Sequence, residues 1–398
     1  MASVTESSEV VATAALVTDV LDRVAATTHR MHSAIARSGW NRLLPRSVRV
    51  LQESVTTGIY ELVRLGIRAV GGVAGVALGS APRTRTARPW SGGPRGRHLA
   101  GLLDGAFGDR LAEHHPALVG PMRIRVDGVD VDPEPATLAA RFPDAAASLV
   151  VFLHGVIETE EWWTGATPGG DFASRLRADL GCTSVLLRYN SGRHVSDNGR
   201  DLADLLDALV AAWPRPVERL ALVGHSMGGL VARSAVHQAA MRGSAWPDRT
   251  HHLVCLGTPL LGAPLERGAN TAAWALRQFD ETAPLAALLA ARSAGIKDLR
   301  HGSLQRDDWH GVDPDAVTRA GTALPYLPPG NVQHSNLAAT VIRDPGPLGH
   351  WIGDLLVPSS SALAPAPSAR THRIGGLRHG GLLTDDAVYA RLLAWLST

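Results

Sequence analysis

The sequence is poor in several features, and their absence excludes whole classes of protein. It contains only two cysteines, Cys182 and Cys255, which lie in or beside apolar, strand-like runs, so two buried thiols are expected rather than a disulfide framework. Its longest apolar stretches fall below the ~18–20 residues that a membrane-spanning helix needs. The first residues carry acids where a secretory signal would carry basic residues. We therefore predict a cytoplasmic protein.

Lysine is almost absent as well. Lys297 is the single lysine among 39 basic residues, a bias typical of GC-rich coding sequences, so the number of arginines says little about function. The basic residues are neither interleaved with aromatic residues nor set in a known motif, so no nucleic-acid partner is expected. The charge is nevertheless uneven, since residues 1–100 carry a net charge of +7 and the remainder −5. This unevenness predicts that the N-terminal quarter is a separate part of the protein.

The N-terminal quarter has helical periodicity. Its first stretch keeps one apolar face through Val10, Ala14, Val17, Leu21, Val24, Thr28, Met31 and Ile35. A second helical stretch follows, so residues 1–80 are predicted to form a helical hairpin. Its apolar face is expected to pack on the main domain or on a second copy of the chain, or else to contact a lipid surface. Residues 81–98 are rich in Pro, Gly and Arg and are predicted to be a linker.

From residue 99 onward, apolar strands alternate with amphipathic helices. This alternation predicts an α/β domain with a mostly parallel central sheet covered by helices on both faces. A hairpin is predicted at Asp127-Gly128. Residues 260–334 break the pattern and are predicted to be a lid or cap insertion. The apolar run 284–291 fits a lid helix and ordinary core packing equally well.

One turn carries the strongest chemical signal. Gly224-His225-Ser226-Met227-Gly228 joins a buried strand to a helix and matches the G-x-S-x-G pattern of a nucleophile elbow. A sharp strand-to-helix turn strains the central residue, and glycines two positions before and after it remove steric clashes. A serine that merely caps a helix needs neither glycine. Ser226 is therefore predicted to be a nucleophile.

A serine hydroxyl needs a base to remove its proton, and the base needs an acid to orient it. Among 17 histidines, His379 follows the last predicted strand and precedes the last predicted helix, which places it at the same edge of the sheet as the turn. Asp354 lies 25 residues before it and is the predicted acid, with Asp344 as the alternative. The order serine, acid, histidine is the one that follows an elbow of this kind in its fold.

Negative charge that develops on the substrate needs two backbone donors. The amide of Met227, directly after the nucleophile, is one predicted donor. The other is the amide of Val156, because His154-Gly155 turns the chain at the end of a neighbouring strand. Glycine at position 155 allows a close approach to the serine.

These segments together resemble the α/β-hydrolase superfamily, and within it the lipase and esterase branch that includes GPI inositol-deacylase-like serine hydrolases. The resemblance lies in "VVFLHGV", "LVGHSMGGLVAR", "CLGTPLLGAPLERG", "GDLLVPSSSA" and "RHGGLLTDDAVYARLLAWL". It implies an α/β-hydrolase fold and cleavage of a carboxylic ester, with Ser226 as nucleophile, Asp354 as acid and His379 as base. Leu355 departs from the glycine that often follows the acid in this branch.

Other functions remain open from the sequence. An acyltransferase or thioesterase would use the same three residues with another acceptor or substrate. A scaffold protein that keeps a degenerate hydrolase fold is a third hypothesis, against which the intact Ser226, Asp354 and His379 count. No metal or organic cofactor is implied, and the expected partner is a small-molecule or lipid ester.

Overall fold

The computed structural model describes residues 94–114, 120–165, 170–263, 292–311, 331–343, 353–364 and 369–398. The chain divides into two compact units, and the larger one comprises Arg97–Asp109, Gly120–Arg267 and Ser293–Thr398. The predicted hairpin at 1–80, its apolar stripe, Asp344 and the run 284–291 lie outside the described residues.

An eight-stranded sheet forms the centre, in the order β2-β1-β4-β3-β5-β6-β7-β8. The strands from β3 onward pair in parallel, whereas β1 pairs antiparallel with β2 and β4. The strands are β1 (Arg123–Val126), β2 (Val129–Val131), β3 (Ser148–Leu153), β4 (Thr183–Arg188), β5 (Arg219–His225), β6 (Thr250–Leu256), β7 (Gln333–Thr340) and β8 (Arg370–Gly375).

Helices lie on both faces of the sheet, which buries two apolar layers. The described helices are α1 (Pro94–His114), α2 (Pro135–Arg141), α3 (Phe172–Leu180), α4 (Val195–Ala212), α5 (Met227–Arg242), α6 (Ala294–Asp298), α7 (Ser359–Ala362) and α8 (Asp386–Leu396). Local signals fix several of the ends. The carboxylate of Asp171 caps α3 and that of Asp385 caps α8, while Gly181 ends α3 in the left-handed conformation.

The predicted α/β class with a mostly parallel sheet is confirmed. The hairpin turn also lies where it was predicted, because Asp127 and Gly128 both have positive φ and join β1 to β2. The helix α1 was not predicted. It begins at Pro94, inside the range 81–98 interpreted as a linker.

The predicted insertion at 260–334 is only partly described. Its described residues include α6 and a short 3-10 turn at Arg306–Asp308, and its last two positions already belong to β7. A role as a lid therefore stays a prediction. Within the described part of the chain, no helix combines the length and the apolar character needed to cross a bilayer.

Candidate active site

Ser226 occupies the sharp turn between β5 and α5. Its φ of 52° and ψ of −121° lie in a region that side-chain-bearing residues rarely adopt. The strain is held in place because the Ser226 amide donates to the carbonyl of Leu256 at the end of β6, at 2.8 Å. A Cβ atom added at Gly224 would lie 2.6 Å from the Gly228 carbonyl oxygen, and one at Gly228 would lie 2.7 Å from that of His154. The turn therefore has room only for glycine at both positions, and the steric reason is the predicted one.

Asp354 and His379 meet beside this turn. The Nδ1 atom of His379 lies 2.7 Å from Oδ2 of Asp354, and the carboxylate is 1% exposed. Because a carboxylate only accepts, Nδ1 is the protonated ring nitrogen and donates to it. The other carboxylate oxygen accepts from the amides of Leu356 and Val357, at 3.0 and 2.8 Å. Hydrogen bonds within its own loop therefore hold the Asp354 carboxylate in place, independently of its contact with His379.

This loop explains the departure noted at Leu355. The amides of Leu356 and Val357 can reach the carboxylate of Asp354 only if the chain turns sharply at Leu355, directly after the aspartate. Leu355 accordingly has φ of 83°, a conformation that favours glycine, and the residue is 60% exposed. The position keeps the geometry that a glycine would adopt without strain.

The loop after β3, residues 154–159, lies against the serine from the other side; we call it the β3 loop. A Cβ atom at Gly155 would approach Cβ of Ser226 to 3.0 Å. Three amides of the loop are used within the protein, since Gly155 donates to Glu158 Oε2, Ile157 to Ser191 Oγ and Glu158 to the Gly155 carbonyl.

The Val156 amide, in contrast, has no acceptor among the described residues. The Met227 amide is the first of α5 and so lacks an intrahelical partner. The two predicted oxyanion donors are thus amides with unused bonding capacity on the two chain segments that meet at Ser226. Ile157, directly after Val156, has φ of 61°, which is costly for a β-branched residue and stores strain next to the site.

Glu158 and His225 form a buried pair beside the site, and the sequence analysis did not predict this pair. Glu158 and His225 are 7% and 0% exposed, and Oε2 of Glu158 lies 2.9 Å from Nδ1 of His225. The His225 ring centroid lies 4.6 Å from that of His379. His225 was named only as a member of the elbow and Glu158 was missed. The one available signal was an acid directly after an apolar turn in "HGVIETEE".

The structure therefore brings Ser226, His379 and Asp354 to one edge of the sheet, with the β3 loop beside them. His225 connects the serine to the histidine, because it precedes Ser226 and its ring nitrogen Nε2 lies 3.3 Å from the His379 carbonyl oxygen. The alternative acid, Asp344, is not among the described residues.

Comparison with known proteins gives one family match. Residues 188–319 match the PGAP1-like alpha/beta domain family. No curated protein matches the sequence. Solved structures with similar folds include the mature lipase BlEst2 of Bacillus licheniformis, which is 20% identical over 62% of this chain and 91% of its own, with a TM-score of 0.41.

Two other solved structures are similar at the same level. The RedJ thioesterase from the prodiginine biosynthetic pathway of Streptomyces coelicolor is 20% identical over 64% of this chain and 91% of its own, with a TM-score of 0.37. The esterase RhEst1 from Rhodococcus sp. ECU1013 is 16% identical over 70% of this chain and 99% of its own, with a TM-score of 0.37.

The parallel sheet and the strained serine between β5 and α5 agree with the PGAP1-like match, which begins at the end of β4 and includes that serine. Together these observations confirm the α/β-hydrolase fold that the sequence predicted.

Proposed function

We propose that the protein is a serine hydrolase that cleaves carboxylic esters through an acyl-serine intermediate. The observation that carries the proposal is the 2.7 Å hydrogen bond from His379 Nδ1 to the buried carboxylate of Asp354. A bond at Nδ1 leaves Nε2 as the basic nitrogen, which is the tautomer that can accept a proton from Ser226. The carboxylate also stabilises the imidazolium that forms when the proton is transferred.

The first half of the reaction forms the acyl-serine. Ser226 Oγ attacks the ester carbonyl carbon while its proton passes to Nε2 of His379. The carbonyl electron pair moves onto oxygen, which accepts hydrogen bonds from the amides of Val156 and Met227. When this intermediate collapses, the bond to the alcohol breaks and the alcohol leaves with the proton from Nε2.

The second half releases the acid. Water gives a proton to His379 and attacks the acyl carbon, and the same two amides stabilise the new oxyanion. Its collapse breaks the bond to Ser226, which recovers its proton from Nε2. The helix α5 supports both halves, because its N-terminus carries partial positive charge and begins at Met227.

A fluorophosphonate probe tests this proposal, since it modifies only activated serines. We expect the wild-type protein to be labelled and to hydrolyse p-nitrophenyl esters, and Ser226→Ala to lose both properties. Ser234→Ala is the matched control, because Ser234 lies on the same helix but donates to the Leu304 carbonyl at 2.6 Å. An unlabelled wild-type protein, or labelling that survives Ser226→Ala, would overturn the proposal.

The substrate class is tested with p-nitrophenyl esters of increasing acyl chain length, assayed on the full chain and on a chain that lacks the first 93 residues. If the N-terminal quarter contacts lipid, its removal should lower hydrolysis of long-chain, vesicle-presented esters while short soluble esters are cleaved at the wild-type rate. Equal loss on both would show that the segment does not select the substrate.

A further inference from the structure

His225 lies between two acceptors inside the protein. Its Nδ1 atom is 2.9 Å from Oε2 of Glu158, and its Nε2 atom is 3.3 Å from the carbonyl oxygen of His379. Carboxylate and carbonyl oxygens accept hydrogen bonds and do not donate them. Both ring nitrogens must therefore carry a proton, so the geometry makes His225 an imidazolium cation paired with the Glu158 carboxylate.

The electrostatic surroundings agree with this assignment. Burial is the largest single effect and lowers the pKa of His225, but the charge and hydrogen bond of Glu158, the His379 carbonyl and the charge of Asp354 together outweigh it, and the pKa is raised. Burial alone would raise the pKa of Glu158, yet the charge and hydrogen bond of His225 lower it, and the hydrogen bond from the Gly155 amide acts in the same direction.

His154 does not compete for this carboxylate. Its pKa is lowered by burial, and its Nε2 atom lies 3.3 Å from the amide nitrogen of Tyr189, which donates to it. It is therefore neutral, with its proton on Nδ1, which donates to the Gly155 carbonyl at 2.8 Å. Among the described residues, the other ring that contacts His225 besides that of His379 belongs to Trp163, which meets it edge-on at 6.4 Å and carries no charge.

The same carboxylate also fixes the β3 loop. Oε2 of Glu158 accepts the Gly155 amide at 2.5 Å, and the Glu158 amide returns to the Gly155 carbonyl. This small ring of bonds encloses Val156, whose amide is left without an acceptor among the described residues. One oxygen of Glu158 thus sets the turn at Gly155 and binds the residue next to Ser226.

We propose that Glu158 and His225 are positioning residues, whose ion pair fastens the β3 loop to the nucleophile turn and to the backbone of His379. The inference depends on the proposed function, because it assigns them a part in that reaction. Neither residue contacts the reacting atoms. The pair acts by holding the Val156 amide, the Ser226 turn and the His379 ring in one fixed arrangement.

A buried ion pair contributes little net free energy to the stability of a fold. Two charges removed from water lose solvation that their attraction barely recovers, and apolar side chains of similar size often do as well. Misplacement of a catalytic group by about 1 Å, in contrast, lowers the rate on the order of 10²-fold. The three segments joined by His225 and Glu158 are those in which such a misplacement would matter.

Glu158→Gln tests the proposal, with Glu160→Gln as the matched control. Glu160 lies two residues further on, is 3% exposed, and pairs with Arg125 and Arg188 at 3.0 and 2.6 Å. Both variants therefore break a buried ion pair in the same segment. We expect Glu158→Gln to lower kcat on the order of 10²-fold with KM changed less than about threefold. We expect Glu160→Gln to lower the melting temperature without that loss of kcat.

A second measurement reports the oxyanion donors directly. A trifluoromethyl ketone binds as a serine hemiketal, whose oxyanion needs the same amides as the transition state. Its affinity should fall in Glu158→Gln by the same factor as kcat. His225→Gln should behave alike, and the double variant should lose no more than the worse single variant, since each change breaks the same unit.

The pH profile and NMR separate positioning from bulk stability. Removal of the carboxylate lowers the pKa of His225, so the alkaline limb of kcat should move to lower pH in Glu158→Gln but not in Glu160→Gln. In the wild-type protein, ¹⁵N shifts should show both His225 nitrogens protonated at pH 7, a result that does not depend on activity. A neutral His225, or equal kcat losses in the two variants, would overturn the inference.

Failure of the proposed function would look different. In that case the wild-type protein would hydrolyse no ester and take up no fluorophosphonate. If the wild-type protein is active and labelled while Glu158→Gln keeps its kcat and its affinity for the ketone, the inference alone is wrong.

Discussion

Asp354 and His379 share a 2.7 Å hydrogen bond between Oδ2 and Nδ1, and the amide of His379 donates back to the Asp354 carbonyl at 3.3 Å. The two residues are therefore joined through side chain and backbone together. This double attachment keeps the imidazole ring in one plane and in one tautomer. A base so oriented is what Ser226 requires in the proposed reaction.

The first prediction concerns the tautomer. In Asp354→Asn the amide can still accept from Leu356 and Val357, so the loop should fold, but its NH₂ group can face the histidine and favour the wrong tautomer. We expect kcat to fall on the order of 10⁴-fold with a melting temperature close to that of the wild type. Kinetics on a p-nitrophenyl ester and thermal unfolding measure both quantities.

Asp344→Asn is the control for this prediction, because Asp344 was the alternative acid in the sequence. It should keep nearly the wild-type rate. If Asp344→Asn loses the rate and Asp354→Asn keeps it, the assignment of the acid is wrong.

The second prediction concerns the strained residue after the acid. Leu355 has φ of 83°, which costs about 1–3 kcal/mol for a residue with a side chain. Glycine removes that strain and loses about 0.5–1 kcal/mol in unfolded-state entropy. We therefore expect Leu355→Gly to raise the free energy of unfolding by about 1 kcal/mol in urea titrations.

Leu356→Gly, one position further on, is the comparison. The positive-φ position is 355, so glycine at 356 relieves no such strain and should destabilise the protein. A Leu355→Gly variant that is no more stable than the wild type would show that the turn is not strained.

The third prediction concerns the helix that precedes the sheet. Gly105 on α1 packs against the β3 loop so closely that an added Cβ would lie 2.6 Å from the Ile157 amide nitrogen and 2.8 Å from its Cα. Alanine in a helix interior normally stabilises by about 1 kcal/mol relative to glycine. Here we expect Gly105→Ala to destabilise the protein and to lower kcat, because the loop next to Val156 must move.

Gly120→Ala provides the control, since a Cβ at that position would meet nothing within 4 Å. It should leave stability and rate close to wild type. If Gly105→Ala stabilises the protein as an ordinary helix substitution would, α1 does not hold the β3 loop.

The fourth prediction concerns pH. Asp104 is partly buried on α1, and burial raises its pKa from 3.8 to about 7, against the opposing charge of Arg188. Between these two values the folded state holds a proton that the unfolded state has lost. This carboxyl therefore makes the folded state less stable as the pH rises from about 4 to about 7.

Asp104→Asn should remove this effect. Its free energy of unfolding, relative to the wild type, should increase from pH 4 to pH 7 and stay level above that. Asp132→Asn serves for comparison, because the Asp132 side chain is 66% exposed on the hairpin. Parallel curves for Asp104→Asn and the wild type would contradict the assigned pKa.

Most of the fold follows from local patterns in the sequence. The apolar runs that became β3, β5 and β6 are buried on both faces, so they read as continuous hydrophobic stretches, and the helices between them kept an apolar side. The glycines around Ser226 could be interpreted from sequence because the steric demand of the turn is local. Chain order and position then singled out Asp354 and His379.

Long-range contacts decided the rest. The pairing of Glu158 with His225 joins residues 67 positions apart, and no spacing rule connects them. The α1 helix was not predicted because Pro, Gly and Arg around residue 94 have the composition of a linker. Glycines of α1 pack on the β3 loop, and a local sequence pattern does not show such a contact. The sequence thus sufficed to predict the strands and the sharp turn at Ser226, because these features depend on neighbours along the chain. The charge state of His225 and the shape of the β3 loop arise only when distant segments exclude water from one another, so only the tertiary structure could decide them.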